Sequence, residues 1–260
     1  METKNEYPTE VISLPSEGYP YPSDNVLSSG KIELKYMTAK EEDILTSRNL
    51  ISKGLVLEKL LESVIVSPNV DINSLLLGDK NAIFIATRIM GYGSKYEVKI
   101  TCPKCGKTTD VAVDLSKLDK KKVDLSILIK GKNEFSLTLP ASKKNVICKF
   151  LTHGDEKNID TEISNLKKLM SEQKAPIEPE MSTRLKYVIK SIDGNSDNTF
   201  IRKFVESMLS LDSKAIRDKM FQLSPDINTQ IDFQCGDTVD CNYQGRITLP
   251  IGVSFFWPTN

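Results

Sequence analysis

The residues best suited to chemistry in this sequence are its five cysteines. Two of them form the run Cys102-Pro-Lys-Cys105, followed by Gly106. Two thiolates at this spacing can both bind one tetrahedral ion, at about 2.3 Å each. The glycine permits a left-handed turn after the second cysteine. The run is therefore typical of one half of a structural zinc site.

Cys235 and Cys241 can supply the other two ligands, again beside a glycine, Gly236. Four thiolates leave no open position on the ion, which indicates a structural role and not a catalytic one. The sequence thus predicts one zinc ion bound by Cys102, Cys105, Cys235 and Cys241. The five residues inside the second pair exceed the usual two to four, so a redox pair or unmetallated buried cysteines stay open as alternatives.

Other residues that could do chemistry have simpler interpretations. Cys148 lies in an apolar strand pattern and reads as a core residue. His153, the single histidine, has no nucleophile motif nearby, so an exposed loop position is expected. The Gly78-Asp79-Lys80 triplet lacks the remainder of a phosphate-binding loop and reads as a bend or cap within a helical segment. We predict that the protein is not an enzyme.

Composition narrows the class of protein. The chain has 260 residues, with 35 basic and 35 acidic side chains. A zero net charge gives no support to nucleic-acid binding. No run approaches the roughly 20 apolar residues of a membrane span, and the first residues lack a hydrophobic signal core. We therefore expect a protein made in the cytosol without a membrane span.

The elements that must position the cysteines are two hairpins. Alternating runs over Tyr96–Ile100 and Thr109–Leu115 flank the first pair, and short strands over Ile227–Phe233 and Arg246–Ile251 flank the second. A further strand over Lys31–Met37 precedes a helix. Apolar residues at helical spacing predict the remaining helices; these cover about 55–66, 72–90, 155–170, 182–192, 199–209 and 213–223.

The start of the helix after the first strand has a clear local signal. Thr38 followed three residues later by Glu41 is a capping box.

The predicted fold class is α+β: a mostly helical domain with small antiparallel β elements and a zinc-ribbon-like module built from two distant hairpins. The predicted division has four parts: an extended N-terminal arm, 1–30; a strand plus helical N-terminal domain, 31–95; the zinc-ribbon-like module, 96–116 with 227–260; and a β-hairpin and helical insertion, 117–226. A metal that joins such distant hairpins should matter for folding, because it closes a long loop.

Aromatic residues at the two ends of the chain are candidates for partner contacts. The arm is rich in proline, and an aromatic content of this kind is unusual for a solvated tail. The chain also ends in consecutive aromatics, which either fold back over the core or fill a pocket on a partner. The candidate partner-binding residues are Tyr19, Tyr21, Phe255, Phe256 and Trp257.

Several segments together resemble a known family. The segments are Leu14-Pro15-Ser16-x-Gly18-x-Pro20-Tyr21-Pro22, Met37-Thr38-Ala39-x-Glu41-Glu42-Asp43-Ile44-Leu45-Thr46, Asp71-Ile72-Asn73-x-Leu75-Leu76-Leu77-Gly78-Asp79, Arg88-Ile89-x-Gly91-Tyr92-Gly93, the Cys102–Gly106 knuckle, and the ending Leu249-Pro250 with Phe255-Phe256-Trp257-Pro258. The chain resembles the baseplate-hub and hub-assembly proteins of T-even-like myoviruses, which are contractile-tailed bacteriophages.

This resemblance implies a non-enzymatic late protein, either a component of the tail baseplate hub or a factor that assembles it. It implies contacts with other hub and tail proteins, and with further copies of the chain if it oligomerises. It also implies a location in the host cytoplasm during assembly and then in the virion. The alternative from another class is a zinc-ribbon regulator that binds nucleic acid.

Overall fold

The fold combines eight helices with small antiparallel sheets within the described part of the chain. The computed structural model describes residues 7–170, 179–236 and 241–256. The helices are α1 (Ala39–Thr46), α2 (Arg48–Ser52), α3 (Val56–Val64), α4 (Leu77–Tyr92), α5 (His153–Met170), α6 (Glu180–Val188), α7 (Asn198–Glu206) and α8 (Ser210–Leu223). The α+β class predicted from the sequence is confirmed as a mixture of helices and small antiparallel sheets.

Nine short strands form four separate sheets among the described residues. They are β1 (Thr9–Ser13), β2 (Lys31–Lys35), β3 (Lys95–Thr101), β4 (Thr108–Asp114), β5 (Phe135–Thr138), β6 (Asn145–Cys148), β7 (Ile189–Ile192), β8 (Gln230–Gln234) and β9 (Gln244–Thr248). The pairs β1–β2, β3–β4 and β8–β9 are two-stranded, and β5, β6 and β7 form a three-stranded sheet in that order. All of these pairings are antiparallel.

Local sequence signals position the first helices as predicted. Thr38 caps α1 in a capping box, and its backbone N–H donates to the Glu41 carboxylate at 2.8 Å. In α3, Leu60, Leu61 and Val64 share the face that packs into the core. Both features follow from residues close together in the sequence, because a cap and an amphipathic stripe are local patterns.

One large apolar core runs through the described chain, from Leu14 near its start to Phe256 near its end. The aromatic residues near the end fold back into it. Phe256 contacts the Phe84 ring edge-on at a centroid distance of 5.6 Å, and Phe255 contacts Tyr96 at 4.9 Å. Both phenylalanines are fully buried. Of the two alternatives for this ending, the structure therefore shows the folded-back one for these two residues.

A buried polar contact fastens the N-terminal segment to the beginning of α4. Asp79 is fully buried and accepts hydrogen bonds from the Ser16 backbone N–H at 3.0 Å and the Ser16 hydroxyl at 2.6 Å. It also accepts from the Tyr21 hydroxyl at 2.7 Å, and that oxygen in turn accepts from the Leu76 N–H at 2.9 Å. The Asp79 carboxylate and the Ser16 and Tyr21 hydroxyls thus all have hydrogen-bond partners, and only the folded chain brings these residues together.

The same end of α4 lies unusually close to the segment that precedes β8. A side-chain carbon placed on Gly78 would lie 1.9 Å from the carbonyl oxygen of Pro225. Only glycine permits that approach. We refer to Ser16, Tyr21, Gly78, Asp79 and Pro225 together as the α4 junction.

Three elements differ from the sequence-based prediction. The helix predicted over 72–90 begins only at Leu77, after a separate 3-10 turn over Ile72–Ser74. The segment predicted as one helix over 182–192 divides into α6 and strand β7, because Ile189–Ile192 pairs with β6. His153, expected in an exposed loop, is buried at the first position of α5. Neither ring nitrogen has a hydrogen-bond partner among the described residues, and burial together with the nearby Lys80 lowers its pKa.

Among the described residues, none of the helices has both the length and the apolar character needed to cross a membrane.

Candidate metal centre

The first cysteine pair occupies the tip of the β3–β4 hairpin. Cys102 directly follows β3, and its backbone N–H donates to the Lys107 carbonyl at 2.8 Å. The Gly106 N–H donates back to the Cys102 carbonyl at 2.9 Å, and Gly106 has a φ of 74°. This left-handed conformation is the one that the sequence predicted for the glycine. The turn therefore brings the thiols of Cys102 and Cys105 to the same end of the hairpin.

The second pair lies at the corresponding end of the β8–β9 hairpin. Cys235 directly follows β8, and its backbone N–H donates to the Tyr243 carbonyl at 2.9 Å. The two hairpins also contact each other beside the cysteines, where the Gly236 N–H donates to the Thr109 hydroxyl at 3.0 Å. The tips of two hairpins that are distant in the sequence thus meet, as predicted from the need of a tetrahedral site for four ligands.

The four sulfur atoms have the separations expected of ligands to one ion. The Sγ atoms of Cys102 and Cys241 are 3.8 Å apart, and those of Cys105 and Cys235 are 3.7 Å apart. All four lie within 4.8 Å of one another. A tetrahedron with zinc–sulfur bonds of about 2.3 Å has edges of about 3.8 Å. The donor set and its dimensions therefore fit a tetrahedral zinc ion, and we call these four atoms the sulfur cluster.

The same distances disagree with a disulfide. Bonded sulfur atoms lie about 2.05 Å apart, well below the separations observed here. Strands flank both pairs, whereas a redox motif of the thioredoxin type opens a helix. The fifth cysteine, Cys148, is fully buried in the main core, and burial raises its pKa to about 12. Its assignment as a core residue is confirmed.

The thiols of the sulfur cluster differ in how easily they lose a proton: the pKa of Cys102 is lowered, whereas the pKa of Cys241 is raised. Burial raises the pKa of Cys102, but hydrogen bonds from the backbone of Cys105 and Lys104 and from the neighbouring thiols outweigh burial and lower it to about 7. For Cys241, a backbone hydrogen bond with Tyr243 lowers the pKa, yet burial and two neighbouring thiols raise it overall. Four negative charges this close repel one another, and a divalent cation relieves that repulsion.

The apolar group around the sulfur cluster is much smaller than the main core. The buried residues around it form a small group separate from the main core, namely Ile100, Cys102, Phe233, Cys235 and Cys241. Cys105 is exposed, so one side of the cluster faces solvent. Three of the five buried members are themselves candidate ligands, and five partly buried hydrophobic residues pack against the group, namely Val98, Val111, Ile231, Tyr243 and Ile247.

A family model covers most of this chain. The model described as T4 bacteriophage base plate protein matches residues 19–257. The chain belongs to the T4 bacteriophage base plate protein family. Neither a curated protein nor a solved structure matches it. The family supports a structural role in the phage tail baseplate.

The baseplate-family chain buries three of the five aromatic residues expected to contact a partner. Tyr21, Phe255 and Phe256 lie inside the chain, which corrects their assignment as partner-binding residues, because buried side chains have no surface to offer. Tyr19 is half-buried, and its carbonyl accepts from the Gly131 N–H at 2.8 Å. Trp257 lies outside the described residues. Partner contact through Tyr19 and Trp257 stays a prediction.

Sequence reasoning missed the α4 junction of this baseplate protein. Asp79 was interpreted only as part of a bend or cap, although its carboxylate accepts three hydrogen bonds across the core. An acidic residue in a run of apolar ones was the available signal, because a carboxylate in such a run must find donors when it is buried. The sequence did not indicate that Ser16 and Tyr21 would supply them.

Proposed function

We propose that the sulfur cluster binds one structural zinc ion through Cys102, Cys105, Cys235 and Cys241. The observation that supports this is the spacing of the four sulfur atoms, all within 4.8 Å of one another. Four thiolates are a ligand set that zinc favours, and they complete its tetrahedral coordination. The ion would hold the β3–β4 and β8–β9 hairpins together as a zinc-ribbon-like module.

Metal analysis of the purified protein tests this proposal directly. We expect about one zinc per chain by plasma mass spectrometry after purification without chelator. Exchange with cobalt should give the intense visible absorption of a tetrahedral thiolate site. Protein that contains no zinc and fails to take up cobalt after full reduction would contradict the proposal.

The reactivity of Cys105 gives a second test within the intact chain. This thiol is exposed, so an alkylating reagent can reach it. A bound zinc ion should slow its alkylation, because metal-bound sulfur is a weaker nucleophile, and a chelator should restore the rate. Cys148 is the internal control, since it is buried in the main core and should stay unmodified in both conditions.

We further propose that the chain acts in the tail baseplate hub as a component or as an assembly factor, without catalysis and through contacts with other tail proteins. Family membership over residues 19–257 supports this role. Exposed apolar side chains support it too, because Leu209, Leu211 and Phe221 are each more than half exposed on or beside α8. The chain would be made in the host cytoplasm and, as a hub component, would stay in the virion.

Quantitative mass spectrometry of phage particles and of their assembly intermediates tests this role. A fixed number of copies in finished particles is expected for a hub component. Presence in isolated intermediates but not in particles is expected for an assembly factor. Absence from both preparations would contradict the proposal, as would specific DNA binding at physiological salt by the purified chain, which would favour the nucleic-acid regulator.

A further inference from the structure

The β1–β2 sheet has one edge that is covered and one that is open. On the β2 side, the Val66 N–H donates to the Glu33 carbonyl at 3.1 Å and the Glu33 N–H donates to the Ser67 hydroxyl at 2.8 Å. On the β1 side, no described element pairs with the strand. Val11, in the middle of β1, is 60% exposed. An open edge with an exposed β-branched residue is a ready template for another strand.

The pairing of β1 with β2 determines which backbone groups face the open side. The Tyr36 N–H donates to the Pro8 carbonyl and the Leu14 N–H to the Gly30 carbonyl, so even-numbered residues of β1 bond to β2. Alternation along a strand then points the N–H and C=O groups of Thr9, Val11 and Ser13 away from β2. These groups have no hydrogen-bond partner among the residues that the structure describes.

We propose that the open edge of β1 pairs with β1 of a second copy of this chain, in an antiparallel arrangement centred on Val11. A two-fold axis through this residue places Val11 opposite Val11 and Thr9 opposite Ser13. All three are residues whose backbone groups face outward, so about six hydrogen bonds form between the two strands. The four strands then form one continuous sheet across the two chains.

The side chains of β1 are compatible with this self-pairing. Glu10 falls opposite Ile12 of the second copy, so no like charges face each other. The two valines face each other on the exposed surface of the sheet, where their contact removes apolar surface from water. A shift by one residue would place outward-facing groups opposite Glu10 or Ile12, whose backbone groups already bond to β2. The register centred on Val11 therefore keeps like charges apart and pairs only backbone groups that face outward.

Cysteine cross-linking of the full-length, zinc-loaded chain tests the register. Opposed residues of a hydrogen-bonded antiparallel pair have Cα atoms about 5.5 Å apart, which suits a disulfide. Val11→Cys should therefore give a linked dimer under mild oxidation. Ser13→Cys is the matched control, because the two copies of position 13 would lie about 14 Å apart. Equal cross-linking of both variants, or none above the wild-type background, overturns the proposal.

Sedimentation of the reduced protein tests the association itself. Single-strand interfaces are small, so we expect self-association in the micromolar range and a dimer at about 100 µM. Val11→Lys should weaken dimerisation at least about tenfold, because two lysines would face each other at the axis. Within one chain the same lysine lies beside Glu33, its cross-strand neighbour, so the fold should persist.

Val11→Thr is the matched control, because it retains a β-branched residue and every backbone group, and it should dimerise like the wild type. A wild-type chain that stays monomeric at about 100 µM overturns the proposal, including the case in which a strand of another tail protein occupies this edge. Dimerisation that Val11→Lys leaves unchanged overturns it as well.

Discussion

The sulfur cluster and the α4 junction both join segments that are far apart in the sequence, but they do so in different surroundings. Cys102 and Cys241 are 139 residues apart, and Ser16 and Asp79 are 63 apart. The α4 junction lies inside the main core, where apolar burial supplies most of the stabilising free energy. The sulfur cluster has only a small apolar group around it. A polar contact within a large core selects one geometry, whereas the proposed zinc ion would supply much of the stability of the zinc-ribbon-like module.

Removal of one sulfur ligand should have the largest effect on stability of the changes considered for these two regions. Cys235→Ser leaves three thiolates, so we expect loss of zinc and separation of the two hairpins, at a cost of at least about 5 kcal/mol to the module. Metal analysis and hydrogen exchange in β8 and β9 measure both consequences. Cys148→Ala is the control, because it removes a cysteine from the main core and should leave the zinc content unchanged. Equal zinc content in the wild type and Cys235→Ser would contradict the claim that zinc bound by all four cysteines stabilises this module.

A methyl group at the α4 junction should have the next largest effect. Gly78→Ala places a carbon 1.9 Å from the Pro225 carbonyl oxygen, so the backbone must shift, at a cost of about 3 kcal/mol. Denaturant unfolding measures the loss of stability. Gly252→Ala is the matched control, because a carbon there meets nothing within 4 Å, and its effect should be small. Equal stabilities of the two variants would show that the junction tolerates repacking.

Deletion of one hydroxyl from the α4 junction should cost less. Tyr21→Phe removes the oxygen that accepts from the Leu76 N–H and donates to Asp79. The variant leaves the Leu76 N–H without an acceptor and Asp79 with its two hydrogen bonds from Ser16, at a cost of about 2 kcal/mol. Tyr19→Phe serves as the control in the same segment. Zinc content should be unaffected in both variants. A change in zinc content in Tyr21→Phe would show that the two regions are coupled and not independent.

The pH dependence of the α4 junction should be the smallest effect. Burial raises the pKa of Asp79, against the hydrogen bonds from Ser16 and Tyr21 that lower it. The folded chain therefore holds this proton more tightly than the unfolded chain does. The contribution of Asp79 to stability is complete below its ordinary pKa of 3.8 and is lost as the pH rises through the folded value.

Asp79→Asn removes this titration, so its stability relative to the wild type should improve as the pH rises, by no more than about 1.4 kcal/mol per pH unit. Urea unfolding of both proteins at several pH values measures the difference. Zinc binding contributes equally to the two proteins and cancels in that difference. A stability difference that stays constant with pH would show that folding leaves the pKa of Asp79 unchanged.

Local patterns allowed part of the structure to be predicted. The capping box of α1 and the apolar stripe of α3 involve residues within two turns of one another, and both are confirmed. The hairpins that flank the cysteines were also predicted, because alternation and turn residues are local too. The predicted meeting of the two cysteine pairs was a chemical inference, since one pair alone cannot complete a tetrahedral site. The division into four domains stays a prediction.

The sequence by itself determined where most helices and strands form and which four cysteine sulfur atoms cluster in the fold. Tertiary structure alone decided that Ile189–Ile192 is a strand, because its partner β6 lies more than forty residues earlier in the chain. Tertiary structure also decided that His153 is buried and that Asp79 accepts hydrogen bonds from Ser16 and Tyr21. Local propensities act over a few residues, whereas burial and hydrogen-bond satisfaction depend on which distant segments the folded chain brings together.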